Sequence, residues 1–129
     1  DYPWAFNRKE AKDHGEGGWL VGAPLQGRVL VIDDVITAGT AIREVATLFE
    51  KTDATMVGVM VALDRQECAK EPSEAGKGLS AIQEVEQALG VPVGCIVTMS
   101  DIIDWLEQQP DSQTMVAPMR EYRERYGVQ

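Results

Sequence analysis

The sequence predicts an α/β fold in which a mainly parallel sheet is flanked by helices, and three observations lead there. Short aliphatic runs recur at Val29–Ile32, Met56–Leu63 and Val93–Thr98, each of strand length and bounded by turn-forming or acidic residues. Between them apolar residues return at helical spacing, first Ile42, Val45, Ala46 and Phe49, then Ile82, Val85 and Leu89. Strand and helix signals alternating in this way are the mark of parallel construction. At the end of the first run two aspartates stand side by side, followed by Thr37-Ala38-Gly39-Thr40. Ligands of parallel α/β sheets sit beyond the carboxyl ends of the strands, where these residues fall.

The elements follow in order. Between Arg8 and Gly18 the stretch RKEAKDHGEGG holds no apolar residue except Ala11 and has three glycines, so it has no face to bury and is expected to be a mobile loop. Val29–Ile32 is short, continuous and β-branched, which predicts a strand buried on both faces. The spacing after it predicts a helix from about Thr40 to Lys51. Met56–Leu63 predicts a second strand and Gln66–Gly78 a polar surface loop. Ser80 with Gln83 forms a capping box ahead of a helix that runs to Leu89, where Gly90 stops it. Pro92 precedes the third strand. Ser100 is the expected cap of a helix through Leu106, and Pro118–Tyr126 the expected terminal helix.

A chain of 129 residues is enough for one domain with its own core and too few for two. With 44% hydrophobic and 26% charged residues the composition is that of a soluble globular domain, and no apolar stretch approaches the ~20 residues of a membrane span. A net charge of −9 argues against a general nucleic-acid or membrane-surface binder, because the field repels phosphate backbones and anionic lipid. Any anionic ligand must then be held by a local basic patch. Cys68 and Cys95 lack metal-type spacing. Cys95, within VGCIV, reads as a buried strand residue and Cys68 as an incidental thiol, both compatible with a reducing cytosol.

Two adjacent carboxylates repel, so Asp33 and Asp34 need a partner. An acidic pair alone would equally serve to solvate a strand end. The turn that follows changes the weighting, because it offers backbone N–H groups, two hydroxyls and a helix N-terminus, which together make an anion cradle. The combination suits a sugar phosphate: the carboxylates accept hydrogen bonds from ribose hydroxyls, directly or through hydrated Mg²⁺, while the turn holds the 5′-phosphate. Gly39 is then expected to need positive φ or close backbone approach, and a valine there to block binding while sparing the fold.

VLVIDDVITAGTA, residues 29–41, resembles the ribose-5-phosphate motif of type I phosphoribosyltransferases. FNRKEAKDHGEGG resembles the catalytic loop of the orotate phosphoribosyltransferase family, and LDRQE and SAIQEVE are similar to the same family, so the resemblance extends from about Phe6 to the C-terminus. It implies the type I phosphoribosyltransferase fold lacking its N-terminal segment, and with it the hood over the base, a lysine that contacts 5-phosphoribosyl 1-diphosphate (PRPP) and the pyrophosphate loop. Residues 1–129 are accordingly expected to be a core domain inactive by itself. The activity implied is transfer of phosphoribosyl from PRPP to orotate with Mg²⁺, giving orotidine 5′-monophosphate and pyrophosphate for pyrimidine biosynthesis, in a cytoplasmic homodimer that shares the catalytic loop between subunits.

By resemblance, Arg8, Lys9, Lys12 and His14 contact PRPP, with Lys12 and His14 catalytic, together with Asp33, Asp34, Val35, Ile36, Thr37, Ala38, Gly39, Thr40 and Ala41. Thr37 and Arg65 contact orotate, and no residue ligates the metal directly. Elementary chemistry agrees: pyrophosphate leaves carrying negative charge, so cations closing over it stabilise the transition state more than the ground state. His14, with an ordinary pKa near ~6.5, suits a phosphate donor or proton carrier. Arg65 follows the second strand, where a guanidinium suits a planar carboxylate, or a surface pairing with Glu67. A receiver domain would also begin VLVIDD, but it needs a Lys-Pro pair that the sequence lacks. A PRPP-sensing regulator of the same fold is the non-catalytic alternative, and it has no need of Lys12 and His14.

Overall fold

The computed structural model describes residues 2–8, 20–69 and 78–128. A parallel three-stranded sheet forms in the order β3 (Gly27–Val35), β4 (Ala54–Asp64), β5 (Val93–Thr98), with β4 in the centre. The strand runs read from the sequence are all present, β3 and β4 longer by a few residues at their ends. Val29 pairs with Met56 and Leu30 with Gly58, so Val57 is an extra residue that bulges β4 and resets which side chains reach the core.

Helix α1 (Thr40–Phe49) and helix α2 (Ala81–Leu89) lie on one face of the sheet. Their Ile42, Ala81 and Val85 pack with Val59 and Val61 of β4 and with Ile36 to form the core. The capping box is present: Ser80 Oγ accepts from Gln83 N at 3.1 Å, and Gln83 Oε1 accepts from Ser80 N at 2.9 Å. Gly90 ends α2 in the left-handed region, as its position predicts.

The opposite face of the sheet is open, which corrects the expectation that Val29–Ile32 is buried on both sides. Leu30 is 49% exposed, Ile32 77% and Ile96 of β5 79%. Side chains alternate between faces along a strand, and α1 and α2 cover the Val31 and Val59 side alone. A continuous apolar run shows that both faces are apolar; it does not show that both are covered.

Four further elements differ from expectation. Residues on either side of 9–19 form an antiparallel pair, β1 (Ala5–Asn7) with β2 (Leu20–Gly22), which the sequence did not suggest; the mobile loop expected from Arg8 to Gly18 lies, apart from Arg8, outside the described residues. Helix α3 (Met99–Glu107) is capped by Thr98 rather than Ser100, with Asp101 closing the box. Helix α4 (Gln113–Tyr126) follows a short 3₁₀ turn and begins five residues before Pro118. A proline there forfeits one backbone bond, while buried Val116 and the Arg120–Glu107 ion pair to α3 hold the helix in place. No helix among the described residues is long and apolar enough to cross a membrane. Both cysteines are free and partly buried. Burial, then the charges of Asp64 and Asp101, push the Cys95 thiol up, which favours its protonated form.

Candidate functional site

Because the sheet is parallel, β3, β4 and β5 deliver their carboxyl ends to one edge, and Val35 pairs with Leu63 and Asp64 with Thr98 across it. Asp33 and Asp34 lie among the last three residues of β3, where successive side chains point to opposite faces. The alternation of burial carries through them, Asp33 half-buried and Asp34 exposed. Each fixes itself through one oxygen: Asp33 Oδ1 accepts from Asp34 N at 3.0 Å and Asp34 Oδ1 from Val35 N at 2.6 Å. Among the described residues no group of three or more His, Cys, Asp or Glu side chains gathers as a metal would require.

The turn after β3 divides its labour. Ile36 points into the core at 6% exposure, so only its backbone is available to a ligand, whereas Thr37, Ala38, Thr40 and Ala41 are exposed. Gly39 is the N-cap of α1 with φ 68°, and no side chain among the described residues caps the helix. The first-turn N–H groups therefore face outward with the positive end of the helix dipole behind them. Arg43 supports the turn from within α1, donating from Nη1 to the Ala38 carbonyl at 2.8 Å. The sequence reading missed Arg43 because it sits on a helix face with no motif around it.

Gly39 also corrects an expectation. A Cβ built there would stand 2.6 Å from Val85 Cγ2 on α2. The glycine serves the packing of α1 on α2 as well as the shape of the turn, so a valine would disturb the fold itself.

Arg65 and Thr37 line the same cavity of about 50 Å³, together with Ile36, Asp64, Gln66, Glu67, Cys68 and Ala81. That volume holds a water or two rather than a pyrimidine, so a ligand would enter it by one edge. Arg65 also borders a larger, mainly apolar cavity of about 250 Å³ walled by Met99, Pro118, Met119 and Tyr122. Its guanidinium is paired with Glu67 through Nε to Oε1 at 3.0 Å and Nη2 to Oε2 at 2.5 Å. Burial, which alone would lower its pKa, is outweighed by Glu67 and by a hydrogen bond to Tyr122, so its pKa is raised above the ordinary arginine value. The pairing with Glu67 weighed from the sequence thus coexists with a place at the cavity. Arg8 is half-buried just after β1. Lys9, Lys12 and His14 lie outside the described residues.

A parallel sheet whose first carboxyl end carries an acidic pair and an uncapped glycine turn is an α/β arrangement chemically suited to a phosphate-bearing ligand. Residues 20–94 match the family described as phosphoribosyl transferase domain, and the chain belongs to it. It is 55% identical to the orotate phosphoribosyltransferase of Yersinia enterocolitica over 99% of this chain and 57% of that relative. With the Acinetobacter baumannii orotate phosphoribosyltransferase it shares 56% identity over 98% of this chain and 56% of the relative. A crystal structure of orotate phosphoribosyltransferase from Francisella tularensis superposes with a TM-score of 0.76 at 33% identity, covering 99% of this chain and 55% of that one. The UMP synthase of Leishmania donovani, at 16% identity and a TM-score of 0.64, shares the fold. The chain thus spans little more than half the length of the curated relatives it matches.

Proposed function

We propose that this chain is part of an enzyme that transfers the phosphoribosyl group of PRPP to orotate, yielding orotidine 5′-monophosphate and pyrophosphate in pyrimidine biosynthesis. The observation that carries the reading is the convergence at one sheet edge of the acidic pair, the uncapped Gly39 turn and Arg65, the last two sharing a cavity through Thr37. The names of the relatives support the choice of orotate.

In this reading the exposed turn residues and the α1 N-terminus hold the 5′-phosphate, and Asp33 and Asp34 accept hydrogen bonds from the ribose hydroxyls. Arg65 takes the orotate carboxylate, which requires Glu67 to share or yield the guanidinium, and Thr37 borders the base. The C1′ bond to pyrophosphate breaks as the bond to the pyrimidine nitrogen forms, so negative charge accumulates on the leaving group. Lys12, with Arg8, Lys9 and His14, neutralises that charge. Asp33 and Asp34 are the residues that would stand near a Mg²⁺ ion bound through PRPP and water, and such an ion would supply positive charge to the diphosphate. The catalytic loop is shared between the subunits of a cytoplasmic homodimer. The chain spans 57% of the Yersinia enterocolitica relative, and the activity is proposed for the whole protein.

Replacing Asp33 and Asp34 together by Asn keeps shape and removes charge. PRPP affinity in the full-length protein should fall more than about tenfold, roughly 1.4 kcal/mol. Unchanged titration calorimetry would remove the acidic pair from the site.

A further inference from the structure

Gln66 is the one non-glycine residue with positive φ among the described residues, at 54°. Backbone of this kind is unfavourable for a side-chain-bearing residue and persists only where its surroundings over-determine it. The surroundings here come from three elements. Asp64 Oδ1 at the end of β4 accepts the Gln66 N–H at 2.8 Å. Gln66 Oε1 accepts from both the backbone N and the Oγ of Ser100 in the first turn of α3, at 3.0 and 2.5 Å. The Gln66 carbonyl accepts from Val128 N at 2.9 Å, beyond α4. Its neighbours in the chain are Arg65 and Glu67, the ion pair at the cavity.

We infer that Gln66 is a positioning residue, whose left-handed turn, latched to Ser100, aims the Arg65 guanidinium at the carboxylate of the base. The inference rests on the reading of Arg65 as the orotate-binding residue. Gln66 follows Arg65, so an extended Gln66 would leave the Arg65 backbone at the end of β4 and redirect Glu67, the residue that pairs with the guanidinium and holds it beside Tyr122. The latch also explains why Ser100, which looks like a cap in the sequence, is not one: its hydroxyl and N–H are both committed to Gln66.

Steady-state kinetics of the full-length protein test this. Gln66→Ala removes the latch and keeps the backbone strain, so the KM for orotate should rise roughly tenfold, the worth of a strong hydrogen bond, with the KM for PRPP within about twofold of wild type. Gln66→Glu retains an acceptor for Ser100 and should restore orotate KM to within about threefold. Ser100→Ala, which leaves the N–H, should raise it in the same direction by less, and its effect should vanish in the Gln66→Ala background because the two act as one unit. A mere loop defect predicts that both KM values and kcat move together, and that result overturns the proposal, as does an unchanged orotate KM. If Gln66→Ala fails to fold, the Ser100→Ala and Gln66→Glu pair carries the same comparison. Arg65→Ala separates the two layers. If it leaves orotate KM unchanged, the base-binding reading falls; if it raises that KM while Gln66→Ala and Ser100→Ala do not, the latch alone falls.

Discussion

Gly39 carries two constraints at once, a φ of 68° and a Cβ position 2.6 Å from Val85 Cγ2. Gly39→Ala should therefore cost about 2–4 kcal/mol of unfolding free energy, from backbone strain plus overpacking. In a Val85→Ala background the steric part disappears and the cost should fall by at least about 1 kcal/mol. Urea denaturation of the four proteins checks it, and strict additivity would show that the two residues do not meet. Asp101 gives a pH test. Hydrogen bonds from the Thr98 side chain and backbone hold its carboxyl below the ordinary range. A carboxylate depressed in the folded state stabilises above its unfolded pKa and stops doing so as pH falls through its folded value. The stability difference between wild type and Asp101→Asn should accordingly shrink from neutral pH to about pH 3, ordinary aspartate titrating near ~3.9; a difference independent of pH would mean the cap does not depend on charge. At this scale the sequence was legible where a residue type has one strong use, as with the glycine turn and the acidic pair. Gln66 and Arg43 were not legible, because their partners lie on other elements or within a helix that carries no motif.

The parallel strands and first two helices are legible in the sequence because apolar period and capping chemistry agree there. Ser80 and Gln83 satisfy each other as their spacing requires, and Ser80→Ala should cost about 1 kcal/mol in the same denaturation assay. No loss would mean that tertiary packing alone holds the start of α2. Misreadings arose where two signals competed. Thr98 and Ser100 are both plausible caps, and the choice fell to Thr98 because Asp101 stands three residues after it and Gln66 occupies Ser100. Pro118 resembles a helix start, yet α4 begins at Gln113 because buried Val116 rewards the extra turn. The β1–β2 pair joins strands of three residues each, shorter than any periodicity window resolves.

Across the described residues, the two faces of the sheet differ in how their apolar side chains are covered. The sheet buries one face under α1 and α2 and leaves Leu30, Ile32 and Ile96 exposed on the other. A contiguous apolar surface of this kind drives association. At tens of micromolar the 129-residue chain should sediment as more than a monomer, and Ile32→Lys with Ile96→Lys should return it to monomer. A wild-type monomer would show the face to be harmless in water. Sequence alone could not reveal this openness, since it records which residues are apolar but not what covers them.

The claim that joins these scales is that the sheet edge holds a ribose phosphate while loop cations stabilise departing pyrophosphate. Lys12→Ala puts it to a turnover test: orotate affinity should stay nearly constant while kcat falls by on the order of 10²–10³, as when one preorganised donor to developing charge is lost. The most direct measurement is pyrophosphate release by the full-length protein supplied with PRPP and Mg²⁺, with and without orotate. The account predicts pyrophosphate and orotidine 5′-monophosphate in equal amounts, only when orotate is present. PRPP binding without orotate-dependent release would contradict it and mark the protein as a sensor.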